Sequence, residues 1–129
     1  MKVHVKHENS GLNDQKRSVL DEFIKFHQKK VPLHTNITII FTGDREGKMT
    51  TGVRNKNGLL KVLSLDRMFI DVLRTLSHEW IHQYQHENMN LDFSQDIGGK
   101  SENMANAESG KIIKIFQKEF PQHMGTLYQ

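Results

Sequence analysis

The sequence predicts an α+β fold in a single domain, and three observations predict it. "NITIIFTG" (36–43) is dense in β-branched residues, with two weaker strand-like runs and turn residues behind it. Stretches with a helical apolar period lie on both sides of this cluster. The chain of 129 residues has no repeat, low-complexity tract or linker-like stretch to divide it, and its length suits one modest core.

Each element can be justified in order. Asn13 is placed to cap a helix from about Asp14 to Lys30, in which Val19, Leu20, Phe23, Ile24 and His27 recur at three- and four-residue intervals. Val31-Pro32 ends it, because the residue before a proline is pushed out of the helical region. This is the expected backing helix. Residues 36–43 form the first strand and "GDREG" (43–47) is turn chemistry. "KMTTGVR" (48–54) is a weaker second strand. "NKNG" (55–58) holds the Asn-Gly pair that favours a hairpin, and "LLKVLSL" (59–65) is the third strand. The expected sheet is three-stranded and mostly antiparallel, a meander packed on the first helix. From about Asp66 to Glu87 the period turns helical, with Phe69, Val72, Leu73, Leu76 and Trp80 as the buried stripe. Residues 88–100 read as a loop. Ser101 is the expected cap of a last long helix, anchored by Ile112, Ile113 and Phe116 and stopped by Pro121.

Composition narrows the function classes. No apolar run approaches the ~20 residues that span a bilayer, so no membrane partner is expected. "MKVHVKHENS" lacks the apolar stretch of a secretory signal, and with no cysteine a cytoplasmic location is the expectation. The net charge of +3 is uneven: residues 1–65 carry 12 Lys+Arg against 6 Asp+Glu, and residues 66–129 carry 6 against 9. The basic charges are scattered and no nucleic-acid motif accompanies them, so they read as a solvated surface. The acidic second half suits a cation site.

That half contains "SHEWIHQYQH" (77–86), in which His78-Glu79-Trp80-Ile81-His82 spells H-E-x-x-H. On a helix, residues four apart share a face one turn from each other, so two imidazoles can grip one zinc ion from the same side. Glu79 is rotated about 100° from His78 and flanks the ion, where it can act as general base. A chain with 8 histidines meets such a pattern by chance more often than most, so a third ligand is the test. His86 is excluded, lying about 12 Å along the axis from His78. Asp92, Asp96, Glu102, Glu108 and His123 remain. Glu102 is best placed, because it opens a new helix after a Gly-Gly turn and that helix can return across the two imidazoles. Ala105 allows close helix approach, and Asn106 shares the face of Glu102 and can hydrogen-bond a ligand histidine. Glu108 lies about 240° round from Glu102 and cannot join it. Asp96 and His123 stay in reserve. Gln85, about 300° from His82, is near enough to support a ligand, whereas Tyr84 packs or faces solvent.

"HEWIH" followed by "ENMAN" (102–106) resembles the pairing in gluzincin metallopeptidases, with the nearest likeness to small ImmA/IrrE-like and phage-encoded members. The resemblance covers residues 66–116 and implies a zincin-like minimal domain with an active-site helix and a C-terminal glutamate helix. It implies His78, His82 and Glu102 as zinc ligands, Glu79 as general base and Asn106 as support. Gln85 and Asn88 stand where metzincins need Gly and His, and the absence of cysteine excludes the peptide deformylase pattern. The SprT-like pattern needs a third histidine, for which His123 is the candidate.

The expected activity is zinc-dependent hydrolysis of peptide bonds by a metal-activated water, with a peptide or protein as substrate. An edge strand of the sheet can hold an extended peptide by backbone pairing. His123 and Tyr128 are candidate donors to the transition-state oxyanion. The alternative is a non-catalytic zinc-binding interaction domain. A third reading, a basic nucleic-acid-binding protein, predicts no stoichiometric zinc.

Overall fold

A computed structural model of the chain describes residues 1–45, 49–55, 57–89 and 99–129. Among these residues the fold is a mixed arrangement of helices and one four-stranded sheet. The elements run β1 (Val3–Glu8), α1 (Asp14–Lys30), β2 (Ile37–Thr42), β3 (Gly52–Arg54), β4 (Leu59–Leu63), α2 (Phe69–Met89), α3 (Lys100–Glu119), a 3-10 turn (Pro121–His123) and α4 (Met124–Leu127).

α1 has the expected bounds. The Asn13 side chain accepts from the Lys16 amide at 2.9 Å, and the Val31 N–H closes the far end on the His27 carbonyl. α2 starts three residues later than expected and runs two further. The last long helix begins at Lys100 with Gly99 as its cap, so Ser101 is already helical and buried rather than the capping residue.

The expected three-stranded, mostly antiparallel meander is corrected to a mixed sheet of order β1-β2-β4-β3. β1 pairs parallel with β2, β2 pairs parallel with β4, and only β3 with β4 is antiparallel. β1 was not expected, although Val3, Val5 and His7 alternate with exposed His4, Lys6 and Glu8 as a half-buried strand should. α1 carries the chain back over the sheet between β1 and β2, and such a helical crossover makes the two strands parallel. β4 takes the central place beside β2 because Leu60 and Val62 are fully buried. The 48–54 strand narrows to the short β3, which supplies the sheet edge beside α2.

One face of the sheet builds the core. Ile37, Ile39, Phe41, Leu60 and Val62 join Phe23 and Phe26 of α1, Phe69, Leu73, Leu76 and Trp80 of α2, and Phe116 of α3 in one apolar cluster. Phe116 meets the Phe23 ring edge-on at 5.0 Å, so α3 is fixed against α1 as well as α2. Trp80 ties α2 to the end of α1, its indole N–H donating to the Val31 carbonyl at 2.8 Å. These contacts fix which face of α2 is left to carry chemistry. No helix among the described residues is long and apolar enough to cross a membrane.

Candidate metal centre

α2 buries Phe69, Val72, Leu73, Leu76 and Trp80 at 0% exposure, and this sets the orientation of the residues between them. His78 and His82 emerge one turn apart with their rings edge to face, centroids 4.5 Å apart. Glu102, in the first turn of α3, reaches both. Its Oε1 lies 2.8 Å from His82 Nε2 and its Oε2 lies 3.2 Å from His78 Nε2, and the two Nε2 atoms are 3.0 Å apart. Fully buried Ala105, one turn on from Glu102, lies in the core cluster. Among the described residues His78, His82 and Glu102 are a group that could hold a metal ion.

The hydrogen bonds around this group bear on whether a cation fits. The Gln85 side-chain amide donates to the Ser101 carbonyl at 3.0 Å, which turns its oxygen toward His82. That oxygen accepts from His82 Nδ1 at 2.8 Å. With a proton held on Nδ1, Nε2 is the nitrogen of His82 that faces the Glu102 carboxylate and His78 and the one left to bind a metal. Nitrogen and carboxylate oxygen atoms held 2.8–3.2 Å apart in this way have the spacing of groups that share a proton or a bound cation. Ligands at tetrahedral angles with bonds of ~2.0–2.1 Å are roughly 3.3 Å apart, so a zinc ion fits after an opening of a few tenths of an ångström.

The charges agree with this donor set. Burial holds the His78 imidazole below its ordinary value, His82 adds to the effect, and Glu102 and a hydrogen bond with Asn106 oppose it. The ring is therefore neutral near pH 7, as a ligand must be. Glu79 is half-buried beside the group. Burial, aided by the Glu102 charge and opposed by Arg54, pushes its carboxyl up to about 7.

His78, Glu79, His82, Gln85, Glu102 and Asn106 are thus brought together. His123 and Tyr128 are not, and their reading as oxyanion donors is corrected, along with the reserve reading of His123 as a ligand. His123 stacks on Phe116 and Phe120 and contacts the Glu22 carboxylate of α1. The Tyr128 hydroxyl hydrogen-bonds the Gln117 amide at 3.0 Å. Phe116 and Gln117 lie fourteen and fifteen residues beyond Glu102 on α3, about 21–22 Å along its axis. Asp92 and Asp96 lie outside the described residues. Glu108 is exposed, and Tyr84 packs against the core.

Sequence reasoning missed the wall opposite. A Cβ at Gly52 would stand 2.6 Å from Thr75 Cγ2 and 3.2 Å from Glu79 Cγ and Oε2, so β3 runs directly along the general-base candidate. Two residues on, Arg54 Nη1 donates to Gln83 Oε1 at 2.6 Å. Gln83 in turn donates to Glu87, which accepts from the His34 and Thr35 amides. A glycine inside a strand was the available signal, since it often marks a close approach of backbone.

No protein family, curated protein or solved structure matches this chain.

Proposed function

We propose that the chain is a zinc-dependent metallopeptidase with a zincin-like minimal domain, cleaving peptide bonds in a peptide or protein substrate. One observation carries the reading: two imidazoles from one helix and a carboxylate from the next bring their Nε2 and Oε atoms within 2.8–3.2 Å of one another, with the Glu79 carboxyl near enough to Glu102 to feel its charge. Three protein ligands leave a fourth position open, the pattern of catalytic rather than structural zinc sites. Zinc held there would supply Lewis acidity, polarising a carbonyl and drawing the pKa of water toward ~7.

The chain's own residues supply the rest. Gln85 fixes the tautomer of His82, and Asn106 orients His78. Glu79, half-buried between the ligands and β3, takes a proton from the attacking water and passes it to the leaving amine. The outer edge of β3 would pair with the substrate backbone beside Glu79, the role sought for an edge strand.

The test combines metal content with turnover. Wild-type protein should purify with stoichiometric zinc, and His82→Ala and Glu102→Ala should lose it. Glu79→Gln should keep the zinc and lose hydrolysis of a peptide mixture. Zinc retained in both ligand variants would refute the site. Full zinc occupancy with no cleavage by wild type would instead favour the non-catalytic zinc-binding domain.

A further inference from the structure

β1 forms one edge of the sheet, at the opposite end of the strand order from β3, and among the described residues no strand lies beyond it. The Ile37 amide donates to the Lys2 carbonyl and the Gly43 amide to the Glu8 carbonyl, with an unbroken register between them. The even-numbered residues therefore turn their backbone groups to β2. Alternation turns the N–H and C=O groups of Val3, Val5 and His7 outward, a row open to another strand. The side chains along this row are of two kinds. Val3 and Val5 are half-buried against the core, whereas Lys2, His4, Lys6 and Glu8 on the opposite face are exposed.

We infer that this edge docks a second copy of the chain, β1 pairing antiparallel with β1 about a two-fold axis through Val5. A two-fold dimer uses the same patch on both copies, so the strand must complement itself. Charge decides the register. With the axis at His4, Lys2 of one copy lies opposite Lys6 of the other; with the axis at Lys6, the two Lys6 side chains face each other. Like charges directly opposite one another oppose pairing. With the axis at Val5, Lys2 lies opposite Glu8 at both ends, and His4 lies opposite Lys6, where a ring nitrogen can accept from the ammonium. On the core face Val5 then meets Val5, which covers apolar surface left half-buried in one copy. This register also engages every outward backbone group of the strand: Val3 pairs with His7 twice and Val5 with itself, three rungs that exchange about six hydrogen bonds. One strand pair is small beside the ~1,200–2,000 Å² of standard interfaces, so the expected dimer is weak, with a Kd in the micromolar range. The pairing is independent of the peptidase reading, because the metal centre adjoins β3 at the other edge.

The test is the oligomeric state by analytical ultracentrifugation. Wild type from about 1 to 500 μM should show a monomer–dimer equilibrium. Lys2→Glu and Glu8→Lys each set like charges opposite one another at both ends of the pairing, and each should weaken self-association roughly tenfold. Both side chains are exposed, so the fold is not at stake. Mixed in equal amounts, the two variants should associate as wild type does, because each copy then offers the charge that the other needs at both ends. The chain has no cysteine, so a second measurement is clean. His4→Cys and Lys6→Cys should form a disulfide-linked dimer faster when mixed than either does alone, since those positions lie directly opposite, with Cα atoms about 4.5 Å apart. Wild type that stays monomeric over this range overturns the inference and leaves the edge to a different chain. Single charge variants that dimerise as tightly as wild type also overturn it, by placing the contact elsewhere on the molecule.

Discussion

At the scale of single residues, Gln85 shows how a fully buried amide governs a ligand it merely touches. Its nitrogen is committed to the Ser101 carbonyl, so only its oxygen can face His82 Nδ1. Gln85→Leu keeps approximate volume and removes both bonds, freeing the ring to turn and to place its proton on either nitrogen. Zinc affinity should fall about ten- to a hundredfold, the usual effect of losing a supporting hydrogen bond, and competition with a chromogenic chelator measures it. Unchanged affinity would mean that packing alone orients the imidazole. Gln85→Glu keeps an acceptor for Nδ1–H but loses the donor to the Ser101 carbonyl, so its zinc affinity should fall between those of wild type and Gln85→Leu. The helix period sufficed to place Gln85, Asn106 and the three ligands near one another in the sequence reading. It did so because all of them sit on two helices whose buried stripes, Leu73-Leu76-Trp80 and Ile112-Ile113-Phe116, fix their rotation. Arg54 and Gly52 had no such handle: they reach the site by strand pairing, and pairing partners are not written in a local period.

At the scale of elements, the approach of β3 to α2 depends on the missing side chain at Gly52. An alanine Cβ would stand 2.6 Å from Thr75 Cγ2, closer than packed atoms tolerate, and Thr75 is a β-branched residue with little χ1 freedom inside a helix. Gly52→Ala should therefore push the strand away from Glu79 and cost about 1–3 kcal/mol, the usual range for overpacking. Thermal denaturation would show the loss, and peptide turnover should fall further than stability does. Thr75→Ser removes the Cγ2 atom and keeps the hydroxyl that accepts from Arg67, so the double variant should recover most of the melting temperature. No recovery would locate the strain elsewhere. The same element explains the misread sheet. The strands at 36–43 and 59–65 and the hairpin at 55–58 were legible because β-branched runs and Asn-Gly are local signals. Strand order was not, because it is decided by which strand brings more apolar area to the buried face of the sheet. β4, with Leu60 and Val62, wins that place over β3, with its glycine and arginine. β1 was legible in principle, since Val3 and Val5 alternate with His4 and Lys6, but one short alternation beside a chain end is a weak signal.

At the scale of the whole molecule, the helical layer closes over a histidine whose burial opposes its protonation. His27 of α1 is fully buried, its ring 4.7 Å from Trp80 and its Nε2 2.7 Å from the Ser77 hydroxyl, while Nδ1 finds no partner among the described residues. Burial pushes its pKa down to about 3, from an ordinary 6.5. Between these values the unfolded chain binds a proton that the folded chain refuses, so the His27 contribution is complete above about 6.5 and drains away as pH falls toward 3. The slope from this residue is roughly 1.4 kcal/mol per pH unit within that window. Acid should therefore unfold the α1–α2 layer, and with it the ligand pair that starts one residue after Ser77. Carboxylates and the His78 imidazole also titrate, so the measurement is a difference: denaturant midpoints of metal-free wild type and His27→Gln from pH 7.5 down to 4. Glutamine can still bond Ser77 and does not titrate. The variant should be less stable than wild type at neutral pH, with a shallower fall below 6.5, so that the two curves converge in acid. Parallel curves would show that His27 is not the group through which acid opens the core.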